Sequence, residues 1–470
     1  MKATNAIGGV VAALSLSTQA MTFEVAAWRG ETVAARVPDA AELSTEPDGI
    51  EVRCGVMKAV KFAPWIDGLM RYETFDRVVW GSNDDGPRVV EIHVPADAKP
   101  GVYECGMMRV RVVDRVLPPP SKWKYYLDLW QPPWACARIA KVKPFSPEHY
   151  AAMRPVYELL ATAGQKTITV TIVDQPWDHQ CADAYHSMID DPDFKTFDEY
   201  VAFCLDCGLG PDISCYSLCP WTLGKSIDAD RLEKLWGAKF DKFVAHLKAK
   251  GWFERTLMAM DERAPEDVAK VADFVQHHAP EMRISMAGNR KPSDFKGIKI
   301  DIYAQILLAD CVTPEFLAEA AERAKAGFVT THYVCCGPKK PNTFMESSPG
   351  EAFWCGAAPA FLGLDGFLRW AWNSWPQNPE KDATFGNWTA GDTFLCYPKG
   401  EPSWRFLELR NGIVAAEKIR ILKSSGELNE SSFKALAAKY DVKAANDGKC
   451  DYLKLRSATL DFVNSPTKQP

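Results

Sequence analysis

The chain has 470 residues, with 55 Lys and Arg against 61 Asp and Glu, for a net charge of −6 at pH 7. Charged residues make up 25% and hydrophobic residues 47%, which excludes a disordered chain, a collagen and a coiled coil. The mild acidity speaks against nucleic acid as the main partner, and no run of about 18 apolar residues follows position 20 to span a membrane. The 16 Trp, 23 Phe and 14 Tyr suit either rings that stack on sugars or a large aromatic core.

Residues 1–20 read MKATNAIGGVVAALSLSTQA, with Lys2, an apolar stretch from Ala6 to Leu16, and small residues at Thr18 and Ala20. This is the pattern of a secretory signal peptide cut after Ala20, and it predicts a secreted or periplasmic protein. Between 21 and 118, short β-branched runs at 21–27, 32–37, 50–56, 89–94 and 107–113 are separated by Gly, Pro, Asp and Asn. Such spacing predicts a β-sandwich. Pro118-Pro119-Pro120 is a stiff linker and the expected domain boundary.

From 119 to 424 the rhythm changes. Strands are predicted at 124–130, 166–173, 212–218, 255–260, 283–287, 298–304, 328–334 and 366–372. Helices between them open at Ser146-Pro147, at a Thr196/Glu199 capping box, at Pro265, at Thr313-Pro314 and at Ser403. A further helix repeats Leu232, Leu235, Trp236, Phe243, Val244 and Leu247 at helical spacing. Only a brief helix fits between Arg290 and Gly297. Eight strands alternating with helices predict a (β/α)₈ barrel. The competitor is a doubly wound open sheet, weakened because no G-x-G-x-x-G or P-loop follows a strand. Residues 425–470 read as an accessory segment with one helical stretch at 431–440.

Fourteen cysteines form no metal framework. Cys204 and Cys207 make a C-x-x-C inside an apolar helical run, with no second pair to complete it. His179, Cys181, Asp183 and His186 crowd a loop rich in Pro, Asp and Gln without a defined ligand geometry. In an exported chain Cys54 and Cys105 are candidates for a bridge between strands of the first domain; otherwise the cysteines read as small buried hydrophobes. No metal or cofactor is expected.

A barrel carries its active site at the C-terminal ends of its strands. There the sequence places Trp130, Gln131 and Trp134, then Asp174 and Trp177, then Tyr216 and Trp221. The fourth strand ends in Asp261-Glu262-Arg263, the sixth in Tyr303 and Gln305, and the seventh in His332 and Tyr333. The eighth ends in Trp370, Trp372, Asn373 and Trp375. Tryptophans gathered at one rim suggest a sugar cleft. An apolar strand that runs directly into Asp261 and Glu262 is the sharpest feature. Two close carboxylates split their pKa values, giving one charged group and one proton donor, as glycosidic cleavage requires. The plain alternative is an acidic pair at the entry of the helix that Pro265 opens.

The segments YLDLWQPPW (126–134), KPFSPEHYAAMRP (143–155), DQPW (174–177), CYSLCPW (215–221), MAMDERAPED (258–267), FLRWAWNSWPQNP (367–379) and AGDTFLCYP (390–398) resemble the catalytic region of glycoside hydrolase family 123 and the uncharacterised bacterial proteins grouped with it. The resemblance implies a β-sandwich followed by a barrel, and an exo-acting β-N-acetylgalactosaminidase that retains configuration through the substrate's 2-acetamido group. It implies Glu262 as general acid and base, and Asp261 as the carboxylate that orients the acetamido group. Tyr303, Tyr333, Trp370 and Trp375 would wall the sugar, Asn373 and Gln305 would meet hydroxyls, and Trp130, Trp134, Trp177 and Trp221 would stack sugars. Each of these binding residues is equally readable as a core residue. Two alternatives remain open: a glycosidase that pairs Glu262 with Asp174 across the cleft, and a glycan-binding protein without catalysis. The partner expected in every case is a glycan, with oligomeric state undetermined.

Overall fold

The computed structural model describes residues 23–38, 49–63, 71–82, 84–177, 183–220, 228–386 and 388–465. The expected leader at 1–20, Trp221, His179 and Cys181 lie outside the described residues.

The N-terminal unit comprises β1 (Phe23–Arg29), β2 (Thr32–Arg36), β3 (Glu51–Phe62), β4 (Tyr72–Trp80), β5 (Arg88–His93), β6 (Gly101–Cys105) and β7 (Met108–Val116). One sheet has the order β1-β7-β6 and the other β2-β5-β3-β4. Alternate residues of the two sheets, among them Ala27, Val52, Val90, Ile92, Val110 and Val112, meet in one buried core. This is the predicted sandwich. Cys54 on β3 and Cys105 on β6 are both free thiols, so they form no bridge.

The barrel alternates β8 (Tyr126–Leu129), α1 (Trp134–Ala140), α2 (Pro147–Ala161), β9 (Thr167–Thr171), α3 (Lys195–Asp206), β10 (Asp212–Tyr216), α4 (Ala229–Ala249), β11 (Thr256–Asp261), α5 (Pro265–His278), β12 (Arg283–Gly288), β13 (Ile302–Ile306), α6 (Pro314–Lys325), β14 (Val329–Tyr333), α7 (Pro349–Leu362), β15 (Gly366–Arg369) and α8 (Trp404–Ser424). The eight strands pair in parallel in the order β8-β15-β14-β13-β12-β11-β10-β9. The seam between β8 and β9 is completed by glutamines as well as backbone. Lys166 N–H donates to Leu127 O at 2.9 Å. Gln165 Oε1 accepts from Leu129 N–H at 3.0 Å, and Gln131 Oε1 from Thr169 N–H at 3.1 Å.

Caps set the helix starts where proline and a hydroxyl coincide. Ser146 accepts from His149 N–H and Thr313 from Phe316 N–H. At α3 the predicted Thr196/Glu199 box does not form: Phe194 is the cap residue, and Thr196 instead donates to Asp191, which also accepts from the Thr196 backbone N–H at 3.0 Å. Between β12 and β13 only a single 3₁₀ turn, Pro292–Asp294, is present. Helix α7 was not expected from the sequence. It is apolar all round because it is buried between the strands and α8, so it lacks a polar face.

Register fixes which side chains face the barrel axis. Tyr333 aligns with Leu368, and Leu368 with Asp128. On that same parity Tyr126, Leu257, Ile302 and Val329 close the lower end in a small cluster of their own. The opposite parity, including Leu127, Ile168, Met258 and Ile284, is buried in the large core with the helices. Beyond α8 follow α9 (Glu430–Ala437), α10 (Val442–Asn446) and α11 (Tyr452–Val463). The end of α11 returns to the sandwich, where Trp28 Nε1 donates to Val463 O at 3.0 Å. Among the described residues no helix is long and apolar enough to cross a membrane.

Candidate active site

Asp261 is the last residue of β11 and aligns with Ala287 and Ala304 on the axis-facing parity. Strand alternation would turn the next side chain, Glu262, outward. The chain avoids this by placing Glu262 at φ 46°, in the left-handed region, while its N–H still donates to Ala287 O at 2.8 Å. Its side chain thereby reaches Tyr333, whose hydroxyl donates to Glu262 Oε1. Burial, and then the charge of Glu262, push the Tyr333 hydroxyl well above its ordinary range, with a smaller contribution from Asp261. Asp261 and Glu262 therefore lie together at the C-terminal end of the barrel, with the Tyr333 hydroxyl on the glutamate.

Next to this pair is a cluster of buried aromatic rings. Trp130 stacks on Trp177 with centroids 5.0 Å apart, and both rings pack on Tyr216 at 4.5 and 5.1 Å. Trp134 joins through Tyr185, 5.0 Å from one tryptophan and 5.6 Å from the other. Trp177 Nε1 has no hydrogen-bond partner among the described residues. Burial and the charges of Asp128 and Asp261 together hold the Tyr216 hydroxyl well above 10. Asp128 lies below, inside the barrel, accepting from the Thr167 hydroxyl. Burial raises its carboxyl to about 7.

Across the barrel, Trp370 and Trp388 face each other at 5.2 Å and are half-buried. Trp370 Nε1 donates to Asp392 Oδ1 at 3.1 Å. Asp392 is held in turn by Arg369 Nη2 at 2.8 Å, and both residues are fully buried.

The other expected positions sit elsewhere. Asp174 is exposed and accepts from Ser187 N–H at 2.9 Å, with His186 Nδ1 at 3.7 Å. Tyr303 and Gln305 take the outward parity: Tyr303 hydroxyl donates to Arg290 O at 2.5 Å, and Gln305 Nε2 to Gly288 O at 3.3 Å. Asn373 Nδ2 donates to Pro132 O at 2.9 Å. Trp375 Nε1 donates to Cys396 O at 2.7 Å, and its ring edges a separate cavity of about 720 Å³ beside Arg138 and Lys141. Sequence reasoning passed over Asp128, Tyr185, Trp388 and Asp392. Asp128 alone carried a signal, as a carboxylate in the middle of an otherwise apolar strand.

The sequence profile described as "Glycoside hydrolase 123, catalytic domain" matches residues 130–422. No curated protein matches the chain in sequence. Among solved structures, the chain is similar to a family 123 glycoside hydrolase from Clostridium perfringens, studied for glycolipid glycan hydrolysis. That likeness has TM-score 0.78, 20% identity and 94% coverage of each chain. More distant are a chitinase active domain from Pyrococcus furiosus, at TM-score 0.35 and 12% identity over 64% of this chain and 98% of that one, and a maltogenic α-amylase from Thermotoga neapolitana, at TM-score 0.36 and 9% identity over 63% and 77%.

Proposed function

The chain belongs to glycoside hydrolase family 123, and from that premise we propose that it removes terminal β-linked N-acetylgalactosamine from glycoconjugates, with retention, by substrate-assisted catalysis. The observation that carries this reading is the adjacent pair Asp261 and Glu262 at the end of β11, with Tyr333 on the glutamate.

In this mechanism Glu262 protonates the glycosidic oxygen as the bond to the anomeric carbon breaks. Tyr333 fixes the orientation of that carboxyl. Asp261 accepts the N–H of the 2-acetamido group, so the acetamido oxygen attacks the anomeric carbon and a cyclic cationic intermediate forms. Glu262, now a carboxylate, deprotonates the water that opens it. No enzyme nucleophile is required, a known departure from the two-carboxylate pattern. The half-buried rings of Trp370 and Trp388 supply apolar faces for sugar C–H surfaces, whereas Trp130 and Trp177 are buried in the core. A glycolipid glycan is a fitting substrate class, given the structural relative.

The test is a panel of aryl β-glycosides with and without the 2-acetamido group. Cleavage confined to the acetamido sugars, and faster for the galacto than the gluco configuration, supports the reading; equal rates on plain galactosides oppose it. Glu262→Gln should lose activity mainly on poor leaving groups, whereas Asp261→Asn should lose it on every acetamido substrate. If both variants matched the parent, the assignment would fail.

A further inference from the structure

Two adjacent thiols stand on the loop after β14, and the glycosidase mechanism uses neither. Cys335 and Cys336 follow Tyr333 directly after Val334, and their Sγ atoms lie 3.8 Å apart. Cys336 is exposed and Cys335 half-buried. The loop is fixed around them. Cys335 N–H donates to Gly337 O at 3.0 Å. Asn342 Nδ2 donates to Cys335 O at 3.0 Å and to Pro338 O at 2.7 Å. Arg369 Nη1 donates to Asn342 Oδ1 at 3.0 Å, which ties the loop to the network behind Trp370.

A hydrogen bond from the Cys335 thiol favours the Cys336 thiolate and lowers its pKa, against partial burial and the charges of Asp392 and Glu262; the same bond, with burial, pushes the Cys335 thiol well up, so Cys336 is the sulfur that attacks first. The pair lies at the catalytic end of the barrel, because Cys335 comes two residues after Tyr333, whose hydroxyl donates to Glu262. The contrast with other thiols is chemical. Cys136, Cys204, Cys215, Cys355 and Cys396 are buried, and desolvation pushes each of them up. A buried, protonated thiol is inert, while an exposed thiolate with a second sulfur in reach is the arrangement that exchanges.

We propose that Cys335 and Cys336 form a covalent modification site at the rim of the substrate pocket, which a small-molecule disulfide closes to a vicinal disulfide and thereby slows turnover. The effect on turnover rests on Glu262 being the acid. In the first step the Cys336 thiolate attacks one sulfur of the reagent, forming a mixed disulfide and expelling one thiolate. The Cys335 thiol then loses its proton to solvent and attacks Cys336 Sγ, expelling the second. Two protein thiols are oxidised by two electrons, and the reagent is reduced to two thiols. Bringing the sulfurs from 3.8 Å to a bond of about 2.05 Å must shift the backbone at 335–336, and Tyr333, the residue that holds Glu262, lies two residues before Cys335.

The experiment treats the full chain with oxidised glutathione and reads two quantities. Peptide mass should show loss of about 2 Da on the segment carrying 335–336. The kcat on methyl N-acetyl-β-galactosaminide, whose poor leaving group needs the proton from Glu262, should fall about fivefold or more and return with dithiothreitol. A Cys335→Ser/Cys336→Ser double variant should keep its own reduced-state rate under the same oxidant. A persistent glutathione adduct in place of the disulfide overturns the proposal, and so does a complete disulfide with unchanged kcat. The mass readout needs no turnover. Activity of the reduced chain is measured first, so a failure of the glycosidase reading is seen separately from a failure of the thiol site.

Discussion

Glu262 occupies the left-handed region at φ 46°, a conformation that costs a non-glycine residue roughly 1–2 kcal/mol. The cost turns a side chain that strand alternation would direct outward into the pocket beside Asp261. Glu262→Gly should therefore abolish activity on substrates with poor leaving groups without lowering Tm, a pairing that separates a functional residue from a structural one; a clear fall in Tm would contradict it. Tyr333→Phe removes the hydroxyl that donates to Glu262. Its expected effect is a fall in kcat of about tenfold, on the order of 1–2 kcal/mol, with KM little changed; steady-state kinetics on an alkyl glycoside, whose poor leaving group needs protonation, decide it. The Asp-Glu pair was legible because an apolar strand ran straight into two acids. The sequence directs Tyr303 and Gln305 to the pocket because their strand, like the others, ends in polar groups. Only register distinguishes the two faces of a strand buried on both sides, and a parallel strand has no alternating pattern to reveal it.

Helices α7 and α8 cross at two glycines. A Cβ on Gly356 would sit 2.4 Å from Leu409 O, and one on Gly412 would sit 2.2 Å from Phe353 O. Neither position has room for a methyl group, so the backbones must part to admit one. Gly412→Ala should cost about 1–3 kcal/mol in urea unfolding of the full chain, and an unchanged midpoint would show the contact to be slack. The small residues that allow this approach also hid α7 from the sequence, since Gly, Ala and Pro359 leave no amphipathic stripe. Its start was nonetheless written in the chain: Ser348 and Glu351 form a capping box. At α3 the same kind of signal misled. Thr196 and Glu199 have the right spacing, but Asp191 binds Thr196 first, a competition from a loop residue that local pattern does not expose.

The sandwich and barrel are joined by cations on α8. Arg405 makes two 3.0 Å bonds to Asp76, Arg410 pairs with Glu91, and Lys418 Nζ is 2.5 Å from Glu31. All six residues are buried. Removing one partner strands a buried charge, so Asp76→Ala should destabilise the whole chain by about 3–5 kcal/mol. If its unfolding curve matched that of the parent, the two units would not depend on this joint. None of these pairings was legible in the sequence, because each links positions more than three hundred residues apart.

Two further buried groups set opposing pH dependences. Asp128 binds its proton more tightly in the fold, at about 7 against an ordinary 3.8, so its contribution to stability declines as pH rises between those values. His332, whose Nε2 faces Cys355 O at 3.1 Å, is pushed down by burial to about 4 from 6.5. Its contribution declines as pH falls between those values. Relative to the parent, Asp128→Asn should gain Tm as pH rises from about 4 to about 7, and His332→Gln should gain as pH falls across the same window. Tm differences that do not vary with pH would refute both assignments.

The claim on which the account turns is that the substrate's own acetamido oxygen attacks the anomeric carbon under the guidance of Asp261. Fluorinating the acetamido methyl weakens that oxygen as a nucleophile while leaving the leaving group untouched. Across 4-nitrophenyl glycosides bearing acetyl, fluoroacetyl, difluoroacetyl and trifluoroacetyl groups, kcat/KM should fall with every fluorine, by about tenfold or more over the series. A flat series would contradict the account and point to a nucleophile supplied by the enzyme.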